Sequence, residues 1–459
     1  MELLSHGVTL AWRRSGDLTC FCCFHPSIAR SLTAAPEALL FAVGTELARL
    51  VPAPPPHGVL MLNAPRLDGI GPFDPIAPFA ATVRGITAPD PVHAALRAAG
   101  PLVQVDAPAG GPAWIVTDDA LAREVLADPR IVKDPACAPP GWDRHTAGLE
   151  PTAAEQPSLT TLDGPEHAAL RRAHAPLLNA KRVRAQSDRV HTIARKLLTE
   201  LAAERTVVDL MAGFTTRYPL TVLLDLLGIP LGEVDRAADA CRRMLGNEPG
   251  EQKRAIDALS ALAASGLGDG GRGLAAELRD RAPAHTTRDQ LQYHLFALIF
   301  AGQLTTDAAL GTLIARALTD GPRPAPSDEV GRDEVGRDEL VDETLRQHPP
   351  APFTLWRFTT TELTLAGIRL PARAPVLVDI LGINTDPARS PGPDLTFGAG
   401  PHFCIGAQLA RLELRAVVTV LRTDFPEARL AVPFGELRQA TIGGLQGSRL
   451  TALPVALQG

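Results

Sequence analysis

The stretch FGAGPHFCIGAQLARLELRAV, residues 397–417, limits this chain more than any other. One cysteine, Cys404, stands between a glycine-rich turn and a long amphipathic segment. Gly398 and Gly400 let the backbone turn tightly and come close to a flat ligand. Phe397 can cover the sulfur. Leu409, Leu412, Val417 and Val420 fall near one helical face, so the segment needs a packing partner. A cysteine at a helix N-terminus has its thiolate favoured by the dipole and by free backbone N–H groups, and Gly406 leaves room beside it. A lone cysteine is most often inert core. The glycine framing instead points to a thiolate holding something large.

The rest of the composition is that of an ordinary globular chain. The 459 residues are 45% apolar and 21% charged, with a net charge of −6. That balance argues against nucleic-acid binding through a basic field. Six cysteines in a chain this long make no disulfide framework, so a reducing cytoplasm is expected. No run of about 20 uninterrupted apolar residues occurs, and no membrane span is expected. No basic start followed by an apolar core marks a secretory leader.

Residues 1–71 read as an N-terminal extension, closed by the proline-rich VPAPPPHGV and LNAPRLDGIGPFDP. Its CFCCFHP cluster lacks a second ligand pair at zinc spacing. Residues 72–459 read as one domain. PLVQVDAP and PAWIVT suggest a hairpin around AGG. Helical patterns follow at 166–178, 183–203, 207–230, 233–245, 251–262, 273–281 and 288–318. The tandem repeat DEVGRDEVGRDEL is charged and falls in or just before the next helix. Strand signals return in FTLWRFTTTELTLAG, IRLP and APVLVDIL. The fold class is mainly α, with a small β-rich region.

The properties around Cys404 together suit an axial thiolate on haem iron. FGAGPHFCIGAQLAR resembles the haem-binding signature of the cytochrome P-450 family, F-G-x-G-x-H/R-x-C-x-G. Phe397, Gly398, Gly400, His402, Cys404 and Gly406 all match. The resemblance implies the cytochrome P-450 fold, with Cys404 as the proximal ligand of haem b (iron protoporphyrin IX). Four further segments match in the family's order. LVDETLRQHPP resembles the E-x-x-R helix, with Glu343 and Arg346 on one face. LDGPEHAALRRAHAP resembles the helix that places His167 and Arg171 on the haem propionates. FTLWRFTTT puts Arg357 at a third propionate position, and His402 would be the fourth partner. ALIFAGQLTTDAALG resembles the distal helix, where Ala301 and Gly302 leave space for dioxygen. There Thr305 would break the helical ladder locally and hold water.

Two departures stand out. The acid of the distal motif is missing: Leu304 takes its place after Gln303, which can order water but not donate as an acid. Asp307 points elsewhere on the helix. The segment NTDPARSPGPDLTFGAG, between the N-x-D-P element and the cysteine loop, is shorter than in relatives.

The resemblance implies a haem-thiolate monooxygenase that oxidises a small-molecule substrate, a specialised metabolite, with dioxygen and two external electrons. Leu298, Ala301 and PFTLW would line its substrate site. No flavin or nicotinamide fingerprint is present, and GDGGRG at 268–273 lacks the spacing of one. Electrons from NAD(P)H would arrive through a ferredoxin and its reductase. Two other readings stay open: a peroxide-using or oxidative-coupling haem enzyme, and a non-catalytic relative that activates a partner enzyme.

Overall fold

The computed structural model describes residues 10–12, 18–20, 77–143, 146–147, 156–244, 249–268, 271–319, 330–441 and 445–458. The chain forms two units, Met1–Pro65 and Arg66–Gly459. Described in the first is one antiparallel pair, β1 (Leu10–Trp12) and β2 (Leu18–Cys20), with Trp12 opposite Leu18. The proline-rich linker and the rest of the CFCCFHP cluster lie outside the described residues.

The second unit begins with β3 (Thr82–Gly85) and α1 (Pro91–Ala99), whose first turn is capped by Asp90. The expected hairpin follows as β4 (Leu102–Asp106) and β5 (Pro112–Val116), with Gly110 and Gly111 at positive φ in the turn. Asp118 caps α2 (Asp119–Ala127), and β6 (Ile131–Val132) comes next. Helices then dominate: α3 (Gly164–His174), α4 (Ala180–Arg184) and α5 (Ser187–Glu204). The pattern at 183–203 is therefore divided, with a break at residues 185–186.

The pattern at 207–230 is divided too. β7 (Val207–Asp209) is a strand, followed by α6 (Leu210–Gly213) and α7 (Arg217–Leu227). A short apolar run carries no periodicity that separates strand from helix. Here pairing with a distant C-terminal strand decides it. Asp209 fixes the junction, accepting from Met211 N at 3.0 Å and from Leu453 N at 2.8 Å.

Next come α8 (Val234–Met244), α9 (Pro249–Ser265), α10 (Gly273–Arg281) and α11 (Arg288–Ala317). A capping box between Thr287 and Gln290 starts α11. By length and composition α11 could cross a membrane, yet 56% of its most apolar stretch is buried against protein. It is the core helix. From Val330 on, the tandem repeat lies in α12 (Val330–Gln347); its first two residues lie outside the described residues. A five-residue repeat cannot keep its apolar positions on one face of a 3.6-residue helix. Val335 accordingly points to solvent, while Leu340 is half-buried.

The strands β8 (Arg357–Thr359), β9 (Leu363–Leu365), β10 (Ile368–Leu370) and β11 (Pro375–Val378) precede α13 (Ile380–Asn384), the cysteine loop and α14 (Ala407–Asp424). A five-stranded sheet, in the order β4-β5-β11-β8-β6, pairs β11 with β5 in parallel and is otherwise antiparallel. It holds Arg357 rigidly. The C-terminal strands β12 (Arg429–Leu430), β13 (Arg438–Thr441), β14 (Arg449–Leu450) and β15 (Pro454–Ala456) return to β3 and β7. The main core joins α5, α7, α11 and α14 through residues such as Leu198, Leu310, Leu313, Val417 and Val420. Each such buried side chain contributes about 1.5–3 kcal/mol. That core fixes α14, and with it the start of the helix beside Cys404.

Candidate active site

The cysteine loop is built by its glycines. Gly398 has φ 72° and Gly400 φ 68°. A Cβ on Gly400 would sit 2.7 Å from the Leu126 carbonyl oxygen, so the loop can press onto the end of α2 only with glycine there. Cys404 N–H donates to the Phe397 carbonyl at 2.9 Å and closes the loop. Arg411 lies 4.7 Å from the centre of the Phe397 ring and steadies it.

Cys404 stands just before α14. The N–H groups of Gly406 and Ala407 point at its sulfur. Burial raises the thiol nonetheless, against those two groups and Arg171. The residue is also open at its surface. The two facts agree if the sulfur looks into a recess walled by protein rather than into bulk water. A cation bound in that recess would tip it to thiolate.

Ala301 and Thr305, one turn apart, are exposed in the middle of core helix α11, with Ala297, Leu298, Leu304 and Ala308 half-exposed beside them. Core helices do not leave such a strip uncovered unless it lines a binding space. Leu298 of α11 and Leu409 of α14 line one small gap of about 20 Å³, together with Leu223 of α7 and His174 of α3. A larger cavity of about 380 Å³ lies elsewhere, beside β3, α1 and the end of α12, and contains none of the candidate haem residues.

Three expectations for α11 need correction. The helix runs unbroken through Thr305, whose hydroxyl donates to the Ala301 carbonyl at 2.8 Å. That bond satisfies the carbonyl without opening the ladder. Gly302 faces α7: a Cβ there would meet Leu223 at 3.0 Å, so this glycine sets a helix–helix distance. The space expected at the alanine–glycine pair falls to Ala301. Gln303 is buried on the opposite face, where it donates to Asp307 at 3.1 Å. Asp307 does point elsewhere, accepting from Thr216 and pairing with Arg449. Of PFTLW, Phe353 and Trp356 turn into an aromatic cluster with Phe79 and Trp142, leaving Thr354 and Leu355 half-buried.

The structure gathers three of the four expected propionate partners, His167, Arg357 and His402, and adds Lys133 and Asp163 beside them. Arg357 is 3% exposed, and its Nε has no partner among the described residues. Burial lowers the guanidinium to about 10, with Asp163 opposing. The His167 and His402 rings lie 4.0 Å apart. His167 Nε2 is buried and unpartnered, and burial with the fields of His402 and Arg171 lowers this group to about 4. His402 meets Asp163 at 2.9 Å. Burial, Lys133 and Arg357 outweigh that contact and lower His402, so it is a neutral hydrogen-bonding ring. Asp163 is raised by burial, but His402 and the Lys133 backbone N–H at 2.6 Å bring it below the usual range. Arg171 stands at the sulfur side instead, donating to the Phe403 carbonyl at 2.5 Å.

Lys133 and Asp163 were missed by sequence reasoning. Asp163 carries the signal of a helix cap before GPEH, yet makes no side-chain cap bond and turns its carboxylate to this cluster. Lys133 follows a two-residue strand with no motif around it. Its ammonium is enclosed, and burial and Arg357 lower it to about 7. The cluster therefore holds one guanidinium, one lysine whose charge burial weakens, two imidazoles and one carboxylate. It is built for added negative charge.

These residues fit haem: a sulfur for iron, an open apolar strip, and buried unpartnered donors for carboxylates. Among the described residues, no three His, Cys, Asp or Glu side chains converge on a bare metal ion.

Behind α11, Glu413 of α14 is 2% exposed and accepts from Thr306 at 3.4 Å. Burial raises its carboxyl well above the usual range, with Thr306 opposing weakly. The folded state thus keeps a proton that the unfolded state releases. Stability then falls by up to about 1.4 kcal/mol per pH unit above the ordinary carboxylate range, until the raised value is reached. Glu413→Gln should flatten that slope. Urea unfolding of the two proteins between about pH 5 and pH 8 checks it; identical slopes would refute it.

No family model matches the chain. It is 43% identical over 430 residues to cytochrome P-450 monooxygenase DoxA of Streptomyces sp. strain C5, covering 85% of this chain and 100% of that protein. It is 33% identical to cytochrome P450 monooxygenase PikC of Streptomyces venezuelae (80% and 90% covered) and 30% identical to vitamin D(3) 25-hydroxylase of Pseudonocardia autotrophica (80% and 94% covered). Among solved structures, CYP154C4 from Streptomyces sp. W2061 superposes with a TM-score of 0.69 at 27% identity, over 83% of this chain and 97% of that one. CYP154A1 from Streptomyces coelicolor A3(2) gives 0.69 at 27%, over 83% and 100%. Likeness of this extent, spanning helices, sheets and the cysteine loop alike, makes the chain a member of the cytochrome P-450 family, a haem-thiolate monooxygenase.

Proposed function

We propose that Cys404 would hold the iron of haem b through its sulfur, and that the enzyme oxidises a specialised metabolite held against Leu298, Ala301, Leu304 and Leu355. The observation that carries this is the sulfur of Cys404, beside the N–H groups of Gly406 and Ala407, at the start of a buried helix packed on α11. When bound, haem supplies activation of dioxygen and insertion of one oxygen atom into the substrate.

The chain's own residues do the rest. Arg357, Lys133, His167 and His402 would bind the propionates, with Asp163 orienting His402. Arg171 steadies the loop at Phe403. The Thr305 hydroxyl donates its one hydrogen to Ala301 and keeps its lone pairs free to accept from a water and hold it there. Leu304 excludes water on the adjoining turn. Two electrons come from NAD(P)H through partner proteins; we assign these to a ferredoxin and its reductase, working with this chain in the cytoplasm. Purified protein given both partners and candidate metabolites tests the assignment. Product formation coupled to NAD(P)H is expected; turnover with hydrogen peroxide alone would overturn it.

The missing acid makes a second test. Protons reach the site through water at Thr305, or from the substrate. Leu304→Glu places a carboxyl one residue before Thr305, on the same half-exposed strip. A placed proton donor contributes about 10²–10⁴ in rate where proton delivery limits. The variant should raise product formed per NAD(P)H consumed by about tenfold or more. An unchanged ratio, with the parent already well coupled, would refute the missing-acid reading.

A further inference from the structure

The segment between α13 and the cysteine loop is short, and something must hold its base. Arg346 of α12 grips Glu343 through two bonds of 2.7 Å and donates Nη1 to the Asn384 carbonyl at 2.6 Å. Asn384 is 1% exposed. Its side chain uses both ends: Nδ2 donates to Thr396 Oγ1 at 3.0 Å, and Oδ1 accepts from Leu395 N at 2.8 Å. Thr396 Oγ1 in turn donates to the Leu345 carbonyl at 3.1 Å. Leu345 adjoins Arg346, so the bonds form a closed ring from α12 through α13 to the loop and back.

From that ring the loop runs directly to the sulfur. The Leu395 carbonyl accepts from Gly398 N at 2.8 Å, and the Phe397 carbonyl accepts from Cys404 N at 2.9 Å. The far side of the loop rests on α2 through Gly400. Asn384 and Thr396 are therefore the only side chains in this ring that act on the loop itself; Arg346 reaches it through Asn384.

We propose that Asn384 and Thr396 are positioning residues for the Cys404 thiolate, a side-chain clasp that holds this short segment at the base of the loop. The inference rests on Cys404 being the haem ligand. An amide is needed at 384 because one group must donate and another accept. A hydroxyl is needed at 396 because one atom must do both.

The experiment reads the reduced, carbon-monoxide-bound Soret band of the haem-loaded full chain. A thiolate ligand gives the red-shifted band, and a neutral or lost thiol gives a blue-shifted one. Asn384→Leu should raise the blue-shifted fraction several-fold, as should Thr396→Val, whereas Thr396→Ser should keep the parent's ratio. Val455→Ala, in the distant strand β15, serves as a stability control. Asn384→Leu or Thr396→Val melting earlier with the parent's band ratio, or matching Val455→Ala in every respect, would overturn the proposal. If Asn384→Leu fails to load haem, the Thr396 pair decides. A parent with no red-shifted band would instead refute Cys404 as ligand, a separate outcome.

Discussion

Cys404→Ser is expected to remove the red-shifted Soret band of the reduced, carbon-monoxide-bound protein, and with it substrate oxidation driven by ferredoxin and reductase. The hydroxyl stays protonated near neutral pH, so it cannot supply the charge that a thiolate places on iron. Even an outer partner of a metal ligand is typically worth 10–100-fold in metal affinity or activity. Loss of the direct ligand should exceed that. The substitution changes one atom at a position where a neighbouring Cβ, if Gly406 had one, would still be 3.7 Å from the sulfur. The loop should therefore fold, with Cys404 N–H still bound to Phe397. Circular dichroism and thermal unfolding of the haem-free forms should overlay. A serine variant that keeps the red-shifted band would sink the assignment.

That prediction could be made from the sequence, and the reason is geometric. The family's cysteine turn packs four demands into a few residues: two positive-φ positions, an aromatic cover, a sulfur and a helix start. Few other sequences satisfy them by accident. The helix at 288–317 was readable for another reason, because a largely apolar run of thirty residues is far too long for a strand. What could not be read was whatever depends on partners far along the chain. Strand β7 exists because β15 pairs with it. Gly302 looked like space for a small ligand, but its missing Cβ is filled by Leu223 of another helix. Gln303 looked available to order water, but Asp307, one turn on, takes its amide. Asp163 stands at the position of a helix cap and serves His402 and Lys133 instead. In each case the local signal was real, and a tertiary contact redirected it.

The same principle sets up the second large effect, at Arg357. Its guanidinium is buried on strand β8, and among the described residues its Nε is unpartnered and Asp163 is its one nearby counter-charge. A buried charge without full compensation destabilises the fold that carries it. Arg357→Met should therefore leave the haem-free protein as stable as the parent or more so. It should also weaken haem retention by about 10–100-fold, since the carboxylates lose their most rigid partner. Stability should thus move one way without haem and the other way with it. Lys133 adds a pH signature. Its lowered value, about 7, means that above neutrality the haem-free fold releases a proton that the unfolded chain still holds, up to the ordinary lysine value. Haem-free stability should rise with pH through that window. A propionate restores the charge, so haem binding takes up a proton there, and affinity should fall as pH climbs. Lys133→Met should abolish this dependence. Haem transfer to an acceptor haem protein, followed across that range for parent and both variants, measures all of it. Retention in Arg357→Met equal to the parent's, or a parent whose affinity does not change above pH 7, would show that the cluster's positive charge serves something other than the haem carboxylates.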